Sequence, residues 1–146
     1  VTAASPLAID IPSLIPHAGL MCLLDSVLSW SADSIICRAS SHLRLDNPLR
    51  REGRLGPVCG IEYALQAAAL HGALRGGEPQ PPGYLASLRI TSLAQGRLDD
   101  PALGILLVAA QCEHGDSAGL IYSITLRAED RRLLLDGRAT IILKHT

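Results

Sequence analysis

Thirteen consecutive residues near the middle of the chain, Gly60-Ile61-Glu62-Tyr63-Ala64-Leu65-Gln66-Ala67-Ala68-Ala69-Leu70-His71-Gly72, read as one helix that is apolar or small on nearly every face. Such a helix belongs inside a fold, because no side of it offers water a polar surface. The rest of the chain must therefore cover it. Yet the helix carries a carboxylate, Glu62, in its first turn and an amide, Gln66, one turn later. A carboxylate taken out of water is costly unless it is paired or has a task. Glu62 is thus the first candidate functional residue. The helix is expected over about 58–75, closed by Gly76-Gly77 as a C-cap.

What surrounds it reads as strands. Residues 1–12 form an extended arm, and Pro12 to Gly19 a turn or one short helical piece. Met21–Trp30 is a first strand. Ile35–Leu45 is a second, with Ile35, Cys37, Ala39, Ser41, Leu43 and Leu45 on one face and Ile36, Arg38, Ser40, His42 and Arg44 on the other. Asp46 to Pro57 is an irregular loop with a basic cluster, Arg50, Arg51 and Arg54. After the helix, Glu78 to Gly83 holds three prolines and makes a stiff linker. Four strands follow, near 84–93, 103–114, 120–128 and 133–144, the last two with clean period-two alternation. One helix that is apolar all round and one antiparallel sheet to cover it suggest a sheet wrapped around a helix. This is an α+β hotdog fold: a five- to six-stranded antiparallel sheet around one long central helix, in a single domain over 1–146.

Composition bounds the partners. Charged residues are 18% of the chain, below the roughly 25% usual for soluble domains, so part of the surface is expected to be covered by another subunit. A formal net charge of −1 and the lack of a basic stripe argue against nucleic acid. Cys22, Cys37, Cys59 and Cys112 are scattered, without metal-ligand spacing, and read as reduced thiols. No metal is expected. The first residues do not read as a signal peptide and no apolar run is long enough to span a membrane. A cytoplasmic enzyme or enzyme subunit is the expectation.

Two motifs turn this outline into a family resemblance. Pro16-His17-Ala18-Gly19-Leu20-Met21-Cys22-Leu23-Leu24-Asp25-Ser26-Val27 resembles the N-terminal signature of the β-hydroxyacyl–acyl carrier protein dehydratases. Glu62-x-x-x-Gln66-Ala67-Ala68 resembles their central helix, whose Glu is catalytic. Asn47-Pro48-Leu49-Arg50-Arg51, with Gly60 to Ala64 and His71-Gly72-Ala73-Leu74, is similar to the divergent dehydratase-like subunits of aryl-polyene and related polyketide-type lipid pathways. The resemblance implies a 3-hydroxyacyl chain bound to acyl carrier protein through a phosphopantetheine thioester, no cofactor, and a homodimer or a heterodimer with a second hotdog protein. The chain also departs from the pattern. The position fourteen residues before Glu62, where those dehydratases carry the histidine of His-Phe-Pro-Gly, is Pro48, with Asp46 and Asn47 beside it. At the helix entry the order is Gly56-Pro57, and Pro57 has no N–H to polarise a carbonyl.

Dehydration needs a base for the α-proton, an acid for the leaving hydroxyl, and donors for the enolate oxygen. Glu62 suits the acid. The amides of Val58, Cys59 and Gly60 at the helix start are the candidate donors, with Gln66 and Asn47 as further acyl-site candidates. The base is open. His17 reads as a base or as a structural residue of the Pro-His turn. His71 lies nine residues beyond Glu62, on the opposite side of the helix, and reads as a base reached across an interface or as a core histidine. His42 reads as solvent-facing, and His114 and His145 as surface residues. The arginine cluster is a solvated loop or a contact for an acidic carrier protein. Three functions stay open: a dehydratase subunit, a non-catalytic partner of an active hotdog subunit, and a hotdog thioesterase using the helix carboxylate.

Overall fold

The computed structural model describes residues 7–78 and 83–144. Its six strands are β1 (Ser26–Trp30), β2 (Ser34–Ala39), β3 (Gly83–Leu93), β4 (Leu106–Gly115), β5 (Gly119–Arg127) and β6 (Leu133–Leu143). They form one sheet in the order β1-β2-β4-β5-β6-β3, and every neighbouring pair is antiparallel. The single α-helix, α1 (Gly60–Gly76), packs on β2, β4, β5 and the end of β6. It ends where expected, because Gly77 takes the left-handed conformation at φ 73° that glycine adopts without steric cost.

The core is mainly aliphatic, with Tyr63 and Tyr122 as its two fully buried aromatic side chains. Ile35 and Cys37 from β2, Leu106 and Val108 from β4, Ile124 and Leu126 from β5, and Leu135 and Ala139 from β6 are buried with the small face of α1, Ala64, Ala67 and Ala68. Gly60 sets how closely the helix can lie. A Cβ there would come within 2.7 Å of Leu126 Cδ2 and 3.5 Å of Leu135 Cδ1.

Three boundaries differ from the sequence reading. The first strand starts at Ser26, not Met21, because Gly19–Met21 is a 3-10 turn and a helix side chain, described below, takes the Met21 carbonyl and the Leu23 amide. The second strand stops at Ala39. Ser41–Leu43 turns as a 3-10 helix, which breaks the period of two. That turn reverses two expectations: His42 is fully buried rather than solvent-facing, and Leu45 is 90% exposed rather than inward. The strand expected from 103 starts at Leu106, after a 3-10 turn at Pro101–Leu103 capped by Asp100. Part of the N-terminal arm, most of the proline linker, and His145 lie outside the described residues. Leu7 bridges to Val27, and Ile11–Ser13 is a 3-10 turn.

Strand β3 is an 11-residue edge. It pairs with β6 on one side only, and two register shifts, at Leu85/Ser87 and Ile90/Ser92, bend it. Only Leu88 and Ile90 tuck partly into the core, while Tyr84, Leu85 and Leu93 are exposed.

Candidate functional site

The helix is not buried all round. Residues 63, 64, 67, 68, 70 and 71 are, but Glu62 is exposed and Leu65 and Ala69 half-exposed. These three share one stripe of α1, which the sheet leaves open. A groove of about 430 Å³ runs along it. Leu14, Pro16 and His17 form one wall and Tyr84, Leu85 and Ile141 the other. Apart from Glu62, His17 and Tyr84, every lining side chain is apolar. Neither Glu62 nor His17 makes a side-chain hydrogen bond or ion pair among the described residues, and His17 Nδ1 is enclosed by protein. Lys144 Nζ sits 5.7 Å from the centre of the Tyr84 ring.

Gln66 does not line this groove. Its Nε2 donates to the Met21 carbonyl at 2.6 Å and its Oε1 accepts from the Leu23 amide at 2.9 Å. One turn after Glu62, the helix thus grips the segment that follows His17. The sequence carried a signal for this: an amide in an apolar helix must find backbone partners, and an adjacent extended segment supplies them.

Asn47 is equally occupied. Its Nδ2 donates to the Ser41 carbonyl (2.9 Å) and to the Tyr63 hydroxyl (3.1 Å), and its Oδ1 accepts from the Leu49 amide (2.8 Å). The Ser41 hydroxyl lies 2.7 Å from both the Leu23 carbonyl and the Tyr63 hydroxyl. A carbonyl only accepts, so Ser41 donates to Leu23 and Tyr63 donates to Ser41. The proton directions are fixed from Asn47 through Tyr63 and Ser41 to Leu23. His42 closes the same region, with Nε2 2.8 Å from the Gly104 carbonyl and Nδ1 unpaired.

At the helix entry, Pro57–Cys59 forms a 3-10 turn. The Cys59 amide donates to Gly56, and the Gly60 amide to Pro57 and Val58, so the turn itself uses both. Gly60 is buried under the sheet, and Val58 is 57% exposed. None of the three lines the Glu62 groove.

Arg50 is no solvated loop residue. Its guanidinium donates to Asp99 (2.8 Å) and to the carbonyls of Arg44, Gly53 and His42. Asp99, its side chain 3% exposed, also accepts from Arg97 and from the Leu55 amide. This cluster ties the 44–55 loop to the 97–99 loop. The link is 49 residues long in sequence, and no local pattern announces it. Arg51 and Arg54 remain exposed.

His71 lies at the other end of α1 from Glu62, fully buried. Its Nε2 must carry the proton, because it faces the Ser31 carbonyl at 2.9 Å, and its Nδ1 then accepts from the Tyr122 hydroxyl at 2.7 Å. Burial pushes both His71 and His42 below the ordinary 6.5. Below that value the unfolded chain takes up protons that the folded chain refuses at these two positions, so stability falls as pH drops. Above it both states are neutral there and the contribution is level. Urea unfolding midpoints should therefore be lower near about pH 5.5 than near about pH 7.5, and a His71→Phe variant should show a shallower decline.

Among the described residues no helix is long and apolar enough to cross a membrane. Nor, among the described residues, is any group of three or more His, Cys, Asp or Glu side chains placed to hold a metal.

A six-stranded antiparallel sheet curled over one long helix, with a carboxylate on the helix face left open beside an edge strand, defines a hotdog-fold protein. The fold is shared with solved structures across most of the chain. The dehydratase heterocomplex ApeI:P from Xenorhabdus doucetiae matches with a TM-score of 0.75 at 18% identity, over 96% of this chain and 94% of that one. A hypothetical thioesterase with coenzyme A from Streptococcus pneumoniae TIGR4 gives 0.60 at 14% identity, over 83% and 86%. AziG from S. sahachiroi gives 0.61 at 16%, over 86% and 94%. No curated protein sequence matches. Residues 9–143 match the ApeP-like family, described as ApeP dehydratase, and the chain belongs to that family.

Proposed function

We propose that this chain is a subunit of a dehydratase acting on 3-hydroxyacyl thioesters carried by acyl carrier protein, with the acyl group lying in the Glu62 groove. The observation that carries this reading is the groove itself: a carboxylate without a partner among the described residues, on a rigid helix, in a channel whose other lining is apolar except for His17 and Tyr84. An aliphatic chain fits such a lining, and Glu62 is the group able to protonate a leaving hydroxyl. The groove ends at the exposed β3 edge, so a second hotdog chain pairing there would close it. The ApeI:P structure is a heterocomplex, which supports a heteromeric partner for this chain. Aryl-polyene or related polyketide-type lipid synthesis is the pathway class we assign, from the family membership and the Asn47–Arg51 motif.

A second reading is a partner that binds acyl chains without doing chemistry. It is favoured by Asn47, whose polar atoms are all committed within the loop where other dehydratases carry histidine. Product analysis separates the readings. The native complex, given a 3-hydroxyacyl-pantetheine thioester, should yield the enoyl thioester, seen by its absorbance, and no free acid. Free acid in its place indicates a thioesterase. Full activity of a partner lacking this chain indicates the non-catalytic role.

A further inference from the structure

We propose that the groove measures chain length: the acyl tail runs along α1 from Glu62 toward Ala69, and Ala69 sets how long a tail the groove takes. The substrate class is then an aliphatic 3-hydroxyacyl thioester of medium length, about eleven carbons. This rests on the reading of Glu62 as the group that meets the 3-hydroxyl.

The lining sets the direction. Beyond Glu62 the floor of the groove is Leu65 and Ala69, and Leu14, Pro16, Leu85 and Ile141 stand on its two sides. None of these side chains offers a hydrogen bond. Hydrocarbon suits such walls, whereas the amides of a pantetheine arm need polar partners. The tail, not the arm, therefore lies over Leu65 and Ala69. The fold agrees on which way the stripe points. Gly60 lies under Leu126 and Leu135, while His71 bonds to Tyr122, whose partner on β6 is Ala139. The helix thus advances toward the end of β6, where Ile141 and Leu143 line the groove beside Gly83 and Tyr84.

The helix also gives the length. Ala69 lies about 10 Å beyond Glu62 along the axis, at about 1.5 Å per residue. An extended chain advances about 1.2 Å per bond, so about eight carbons past the 3-carbon bring the tail to Ala69. The open stripe stops there, because Gly72 and Ala73, the next residues on that side, are buried again. Ala69 is half-exposed and carries the smallest side chain of the floor, so it leaves room that any larger residue would fill. Each methylene laid in the groove leaves water on its covered side, which should tighten binding about two- to fourfold per carbon up to that limit.

The test uses the native complex and a series of saturated acyl-pantetheine thioesters, butanoyl to hexadecanoyl, as unreactive ligands in calorimetry. The dissociation constant should fall about two- to fourfold per carbon up to about eleven carbons, then level off. A constant that stays flat across the series, or that keeps falling through hexadecanoyl, overturns the proposal. Independently, Ala69→Phe should lower the ratio of kcat/KM for 3-hydroxydodecanoyl over 3-hydroxybutanoyl thioester by about tenfold or more. Leu65→Trp, one turn nearer Glu62, should move the break to about seven carbons. A loss of stability alone would not order the two variants by chain length. An unchanged ratio in a folded Ala69→Phe complex also overturns the proposal, and if that variant does not fold, the wild-type binding series decides. Failure of the underlying reading looks different: the wild-type complex would dehydrate no chain of any length, or Glu62→Gln would leave turnover intact.

Discussion

On the proposed function, Glu62→Gln should lower turnover of a 3-hydroxyacyl-pantetheine thioester by the native complex by about 10²–10⁴-fold, the range for loss of one general acid. The substitution keeps the size and hydrogen-bonding outline of the side chain and removes its transferable proton. Glu62 is exposed in the chain and has no partner among the described residues, so the fold loses no contact and the melting temperature should stay level. A fall in kcat with KM preserved would mark loss of an interaction made only in the transition state. Unchanged kcat would leave Glu62 as a groove residue without chemistry.

The second large effect concerns stability. Arg50→Met should cost about 3 kcal/mol, at the low end of the range for breaking a buried ion pair, because Arg97 remains beside Asp99. For a chain of this size that corresponds to a drop of roughly 6–12 °C in melting temperature, measurable by calorimetry. The loss comes from Asp99, left nearly dry with one guanidinium gone, and from three carbonyls that Arg50 no longer serves. The same cluster sets the response to acid. The Arg97 guanidinium first, and then the Leu55 amide, hold the Asp99 carboxyl well below the ordinary carboxylate range against the opposing effect of burial. A depressed carboxylate stabilises the fold fully above its unfolded value of 3.8, and that contribution drains away as pH falls below it. Asp99→Asn should therefore flatten the acid limb of the stability curve.

The same residues show what could be read in advance. The outline was legible because the core is repetitive. Alternation in 120–128 and 133–144 fixed two strands, the small face of 64–68 fixed the helix, and Gly76-Gly77 fixed its end. Misreadings cluster where a side chain far along the sequence overrides the local pattern. Gln66 takes the bonds that Met21 and Leu23 needed to extend β1, and the 3-10 turn at Ser41–Leu43 sends His42 inward. Asp99 draws Arg50 out of a cluster that reads as a loop-surface group and pairs it with Arg97 from a different loop. The candidate groove was half legible. Glu62 stands out as a charge on an apolar helix, but the segment that follows His17 is held by a clamp from Gln66 to Met21, 45 residues apart, and periodicity carries no record of such distances.

Strand β3 has a consequence for how the protein must be made. A long, apolar edge with one side unpaired is a template for any other extended chain, and the described part of β3 has only Arg89 as a charged guard against such pairing. On the proposed heteromeric reading, a protomer synthesised in excess of a strand-pairing partner should therefore still recruit strands. Its solubility becomes a matter of supply ratio: balanced co-expression should give clear lysates, and single-chain overexpression should drive the same sequence toward self-association and precipitation.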